Sequence, residues 1–234
     1  MNGDPGVLHG FGAQLAAGTL VTAGLALASL AGGLLLGIAG AAARMSRRRP
    51  LRAAALGYTT AVRGVPELLV VLIVYFGASA AIGRVAALFG VTGFYELNPF
   101  LAGVSALSLT FGAYATEVLR GAFLAVPPGQ AEAARALGLT RVQAFRHVLL
   151  PQVWRSALPG LGNLFLVLLK DTSLVSVVGL DELMRKSAIA VSYTREPFTF
   201  YLSAALIYLA MTAFSMAGIQ ALERRTARGM ERSG

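Results

Sequence analysis

Five long apolar runs alternate with short polar stretches along the chain. The first extends from Gly12 to Ala43 without a charged residue and ends at Arg44, Arg47, Arg48, Arg49 and Arg52. That exceeds the roughly 20 apolar residues needed to cross a bilayer, and the arginines mark its C-terminal end as cytoplasmic. Further spans are predicted over residues 56–81, 101–126, 158–178 and 198–222, after a first span over 12–43. Arg63, Pro66 and Glu67 lie near the start of the second, where the proline removes a backbone donor and predicts a bend. Residues 82–99 read as an outer connection and 127–151 as a cytoplasmic segment, all within one membrane domain spanning 1–234.

Charge orients the helices. Arg135, Arg141 and Arg146 follow the third span and Arg224, Arg225, Arg228 and Arg232 follow the fifth. The opposite side carries no Lys or Arg before Gly12, then Arg84, then Arg185, Lys186 and Arg195, offset by Asp181, Glu182 and Glu196. This predicts an all-α polytopic protein with its N-terminus outside and its C-terminus inside. The first eleven residues lack the basic head of a secretory signal, so the first span is expected to be retained.

Composition narrows the function. Hydrophobic residues make up 56% of the 234, charged residues 13%, and mean hydropathy is +0.67, so a water-soluble domain would struggle to cover its apolar surface. The net charge of +9 gathers at the ends of apolar runs, a topology signal rather than a nucleic-acid surface. With no cysteine and only His9 and His147, neither disulfides nor a zinc or iron–sulfur site is expected. The length accommodates five spans but no added nucleotide hydrolase, and no G-x-x-x-x-G-K-[ST] loop occurs. The energy source is therefore expected on another chain.

The segment VPPGQAEAARALGLTRVQAFRHVLLPQVW carries the strongest local signals. Pro128 suits the first turn of a helix and Gly138 a left-handed helix end. Thr140 and Gln143 have capping-box spacing, so a second helix begins there, with Pro151 limiting its extent. A helix, a glycine corner and a helix between two spans can transmit force if a soluble partner grips the first helix. Lying on lipid headgroups is the bland alternative.

Glu132, Ala133, Ala134, Gly138, Val148, Leu150 and Pro151 resemble the EAA loop of inner-membrane subunits of bacterial ATP-binding-cassette importers. The resemblance is to the polar amino acid permease branch, through Arg63-Gly64-Val65-Pro66, Glu117 to Phe123, Pro159 to Asn163 and Leu169 to Leu174. YTTAVRGVPELL, RGAFLAVPPGQ, REPFTFY and ALERR look like the permease subunits for histidine, lysine, arginine and ornithine. The resemblance implies a type I importer transmembrane fold and an ATPase-coupling role for Glu132, Ala133, Ala134, Gly138, Leu150 and Pro151. It also implies two ATPase subunits that use ATP and Mg, a second permease subunit, read as a related different chain with an identical copy as the alternative, and a periplasmic amino-acid-binding protein. This chain itself would bind no cofactor or metal and catalyse nothing. Glutamine or another polar amino acid is the alternative substrate.

Arg63 and Glu67 are four apart and Glu117 and Arg120 three apart, so each pair can share a helix face, while Lys170 and Asp171 are adjacent. Charges inside a membrane face a bundle interior or a watery path. The six are therefore expected either to line the path of a cationic substrate or to pair between helices. An ion-coupled secondary transporter would need an internal repeat, and a membrane enzyme converging catalytic groups; neither stands out. Ser173 and Ser176 have no neighbouring base, Trp154, Tyr193 and Tyr201 suit interface anchors, and the many Gly and Ala suit close helix packing in lipid.

Overall fold

A computed structural model describes residues 8–90, 93 and 96–227; the tail arginines Arg228 and Arg232 lie outside the described residues. In chain order the helices are α1 (Gly12–Arg44), α2 (Arg49–Arg63), α3 (Glu67–Leu88), α4 (Pro99–Ala125), α5 (Pro128–Ala136) and α6 (Arg141–Ala144). A π turn (Phe145–Leu149) leads into α7 (Leu150–Asp171), a 3-10 stretch (Thr172–Val178), α8 (Leu183–Thr194) and α9 (Pro197–Ala227). Five stretches are long and apolar enough to cross a membrane: Gly12–Arg44, Glu67–Leu88, Pro99–Ala125, Arg141–Val178 and Pro197–Thr226.

The central pair is α1 and α4, which run in the same direction. Residues 33, 37 and 40 of α1 meet residues 111, 115 and 116 of α4 in rising order. The contact requires small residues: a Cβ at Gly37 would stand 2.7 Å from that of Ala115, closer than two carbons approach. Without side chains between them the backbones approach, and Ser108 donates to the carbonyl of Ser29 at 3.2 Å. Dispersion contacts and such cross-helix bonds drive packing in lipid, where helices gain little from excluding water.

Around this pair lies a core of Leu25, Val71, Leu107, Phe111, Leu119, Leu161 and Leu168, drawn from α1, α3, α4 and α7. A smaller cluster of Leu15, Leu183, Ala190, Phe200 and Ala204 joins α1, α8 and α9 at the outer end. Exposed Leu20, Leu35, Ile73, Phe76, Leu206, Leu209 and Phe214 form the outward surface of the spanning helices. That surface suits hydrocarbon.

The second and fourth spans differ from expectation. Residues 56–81 do not form one helix: α2 stops at Arg63, Gly64 and Val65 are non-helical, and α3 restarts at Glu67 after Pro66 and continues to Leu88. The proline therefore breaks the span instead of bending it, because it lacks the amide that a continuous ladder needs. The fourth element starts well before residue 158, at Arg141, and runs as one 38-residue rod to Val178. Pro151 does not end the helix begun at Thr140. The preceding π turn widens the ladder, the Leu150 amide bonds the Phe145 carbonyl, and Pro151 falls in the first turn of α7, where no donor is demanded.

Candidate functional site

The break at Gly64–Pro66 lies alongside α4, with Gly64 and Pro66 exposed and Val65 half-buried. Tyr114, fifteen residues into α4 and so about 22 Å from its outer end, donates its hydroxyl to Glu67 Oε1 at 3.2 Å. The Arg63 guanidinium sits above the same ring, with Cζ 5.2 Å from the centroid, a cation–π distance. Glu67 opens α3, where the helix dipole favours a negative charge. Arg63 closes α2, where a positive charge is favoured. The interruption thus places opposite charges at two facing helix ends, as in transporters that bind solutes at broken helices.

A cavity of about 230 Å³ opens beside them, lined by Glu67, Thr110, Phe111, Tyr114, Leu164, Val167, Leu168 and Asp171. Asp171 comes from the junction of α7 with the 3-10 stretch, and among the described residues its carboxylate has no ion-pair or hydrogen-bond partner. Two carboxylates from distant parts of the chain therefore share one small, mostly apolar chamber. An intramembrane arrangement of this kind is hard to explain by packing alone.

The remaining charges separate from this chamber. Glu117 accepts from Arg120 Nε at 2.8 Å and from Arg44 Nε at 3.1 Å, binding α1 to α4 near their cytoplasmic ends. Arg63 and Glu67 do not pair, since the broken backbone takes them off a common helix face and each uses Tyr114 instead. Lys170 is exposed and lines a different groove. Tyr114, Thr110 and Arg44 escaped sequence reasoning. A tyrosine amid FGAYATEV was a visible signal, but its partner across helices was not.

At the cytoplasmic end, α5 begins at Pro128 and closes through a pair of hydrogen bonds of the Schellman kind: Leu139 N donates to Ala134 O at 3.1 Å and Gly138 N to Arg135 O at 3.0 Å. Gly138 has φ +80°, as the left-handed position requires. Thr140 and Gln143 form a reciprocal capping box for α6. Glu132 and Ala133 face outward while Ala134 is buried. At this corner Leu137 is 82% exposed and Val142 74%, apolar side chains at the polar end of the bundle of the kind that mark a protein or membrane contact. Phe145 stacks on Phe123 at 6.2 Å, tying the corner to the end of α4.

Residues 33–228 match the family described as binding-protein-dependent transport system inner membrane component. The chain belongs to that family. It is a non-catalytic, multi-pass inner-membrane permease subunit of an ATP-binding-cassette importer, in the polar amino acid branch, with the five-span type I fold and its EAA-type coupling region. The octopine transport system permease protein of Rhizobium radiobacter is 46% identical over 223 residues, 95% of this chain and 94% of the relative. The histidine/lysine/arginine/ornithine transport system permease protein of Escherichia coli is 40% identical over 227 residues, 97% and 99% of the two chains. A crystal structure of an amino acid ABC transporter with histidines superposes with a TM-score of 0.80 at 35% identity, covering 96% of this chain and all of the other. At family level such permeases work with ATPase subunits, a second permease and an external binding protein.

Proposed function

We propose that this permease conducts basic amino acids, and that Glu67, Asp171 and Arg63 form its intramembrane substrate site. The supporting observation is the chamber lined by two carboxylates, one without a partner among the described residues, with the Arg63 guanidinium over the Tyr114 ring that lines it. Arginine, lysine and ornithine carry two cationic groups and one carboxylate, and histidine does so once its imidazole is protonated. Glu67 and Asp171 would receive the α-ammonium and the side-chain cation, and Arg63 the carboxylate. Glu117 would stay outside the path, satisfied by Arg44 and Arg120.

Coupling would run through α5. An ATPase subunit gripping Glu132, Ala133 and the exposed Leu137 and Val142 would shift α5 and α6, while Gly138, Leu150 and Pro151 shape the turns that join them to the spanning rod. ATP binding to the ATPase pair would favour the outward-facing state and hydrolysis would reset it, a population shift between two arrangements. The permease partner is read as a related but different chain, as the subgroup motifs suggest.

The octopine relative favours a second reading. Octopine adds a second carboxylate to an arginine skeleton, and Lys170, next to Asp171 in the chain, would be a second cation for it besides Arg63. The test is uptake into proteoliposomes holding this chain, its permease partner and its ATPase, with the binding protein supplied outside. ATP-dependent accumulation of arginine, lysine, ornithine or histidine supports the basic amino acid reading. Accumulation of octopine or glutamine alone overturns it while leaving the importer intact.

A further inference from the structure

Glu182 is the one fully buried ionisable side chain among the described residues, and the transport reading above does not use it. It caps α8, accepting from Met184 N at 2.9 Å and Arg185 N at 2.8 Å. The same carboxylate accepts from Thr22 Oγ1 of α1 at 3.3 Å and from Tyr208 Oη of α9 at 3.1 Å. A cap needs only the first two bonds. A buried carboxylate drawing donors from three helices fixes their mutual positions, because any shift leaves a charge short of partners.

The chain of contacts continues inward. Tyr208 Oη lies 3.4 Å from Thr172 Oγ1, and Thr172 directly follows Asp171. Thr172 also donates to Leu169 O at 2.7 Å. Each hydroxyl has one proton, so Tyr208 gives its own either to Glu182 or to Thr172. Tyr208 also lines a groove of about 520 Å³ with Lys170, Ser173 and Met184, which leaves it room to move between the two acceptors. On the outer side of α8, Asp181 pairs with Arg185 at 3.1 Å and Lys186 at 2.7 Å, a charged surface at the mouth of the bundle.

We propose that Glu182, Tyr208 and Thr172 form a relay that sets the position of Asp171 according to the position of α8. Glu182 and Tyr208 are positioning residues in this scheme. Displacement of α8 from outside draws Glu182 away, Tyr208 turns to Thr172, and the start of the 3-10 stretch moves with Asp171. The inference rests on Asp171 being a substrate-site residue.

The test uses the reconstituted complex with its binding protein and labelled arginine, comparing Tyr208→Phe, Asp171→Asn and the double variant. Tyr208→Phe keeps the ring and loses the hydroxyl; it should raise the KM for uptake about three- to ten-fold, the effect of one hydrogen bond, with maximal rate and complex assembly retained. In the Asp171→Asn background the same change should add nothing further. Equal fold-changes in both backgrounds would overturn the relay, as would wild-type KM in Tyr208→Phe. If Asp171→Asn is impaired and Tyr208→Phe is not, the relay fails and the substrate site stands. If Asp171→Asn transports normally, the site reading fails and the relay to Asp171 falls with it. Should Tyr208→Phe not assemble, Thr172→Val against Thr172→Ser decides: a KM raised by valine and restored by serine supports the relay, and equal KM values overturn it.

Discussion

Tyr114 donates its hydroxyl to Glu67 across 3.2 Å, from the middle of the most buried helix to the first residue of α3. The bond holds Glu67 at the rim of the chamber and stops it from turning to Arg63, four residues back. Tyr114→Phe should release that carboxylate. We expect arginine uptake with a KM raised about three- to ten-fold, the effect of one hydrogen bond, and an unchanged yield of assembled complex on co-purification.

Among the described residues Asp171 has no ion-pair or hydrogen-bond partner, so neutralising it relieves no pairing there. Asp171→Asn should preserve assembly and weaken handling of a cationic substrate by about 2 kcal/mol or more, roughly 30-fold in kcat/KM. A glutamine control, wherever transported, should lose far less. Equal losses for both substrates would count against charge recognition at this position.

The coupling corner makes a different prediction. Glu132→Arg leaves an exposed position exposed and should yield a folded permease whose ATPase no longer responds to the loaded binding protein. Gly138→Val places a branched side chain at φ +80°, at a cost of about 1–2 kcal/mol. Proteolysis near residue 138 in the membrane-embedded chain should report the second effect, and stimulated ATP hydrolysis the first.

Helix packing can be tested with two glycines of α1. A Cβ at Gly37 would press on Ala115, whereas one at Gly24 meets nothing within 4 Å. Gly37→Leu should therefore abolish recovery of the folded subunit, and Gly24→Leu should leave it intact. Detergent-resistant thermal stability measures both.

Glu182 lies in the connection between spans, and burial raises its pKa despite its four donors. Because its folded value exceeds the unfolded one, the fold binds the proton more tightly between the two. Its contribution is therefore full below the ordinary glutamate range and falls as pH rises through the raised value. The melting temperature of the wild type relative to Glu182→Gln should decline over that interval. A flat difference would show that the carboxyl does not titrate with the fold.

The five spans and the coupling corner were legible because they depend on runs and neighbours. Pro128, Gly138 and the Thr140–Gln143 pair act on backbone groups a few residues away, and the structure has each in that role. Pro66 and Pro151 were harder, since the same chemistry gave opposite results: one breaks a span, while the other is absorbed by a π turn. The difference lies in surroundings that no local window contains. Glu67 and Asp171 stood out as charges in apolar runs, but 104 positions separate them, and only the packing of α3, α4 and α7 makes them neighbours. Glu182 looked like one more acid balancing outer arginines. Nothing in LDELMRKS reveals that it is enclosed by Thr22 and Tyr208.

From Arg141 to Asp171 the chain is helical without interruption, a length of about 45 Å at 1.5 Å per residue. One end carries the capped cytoplasmic corner and the other the carboxylate without a partner. No loop lies between them to absorb motion as slack. Like a pushrod with two flexures, at the π turn and at Pro159, the element would hand axial travel at one end on to the other, and the timing of the two events would become a matter of stiffness rather than of signalling.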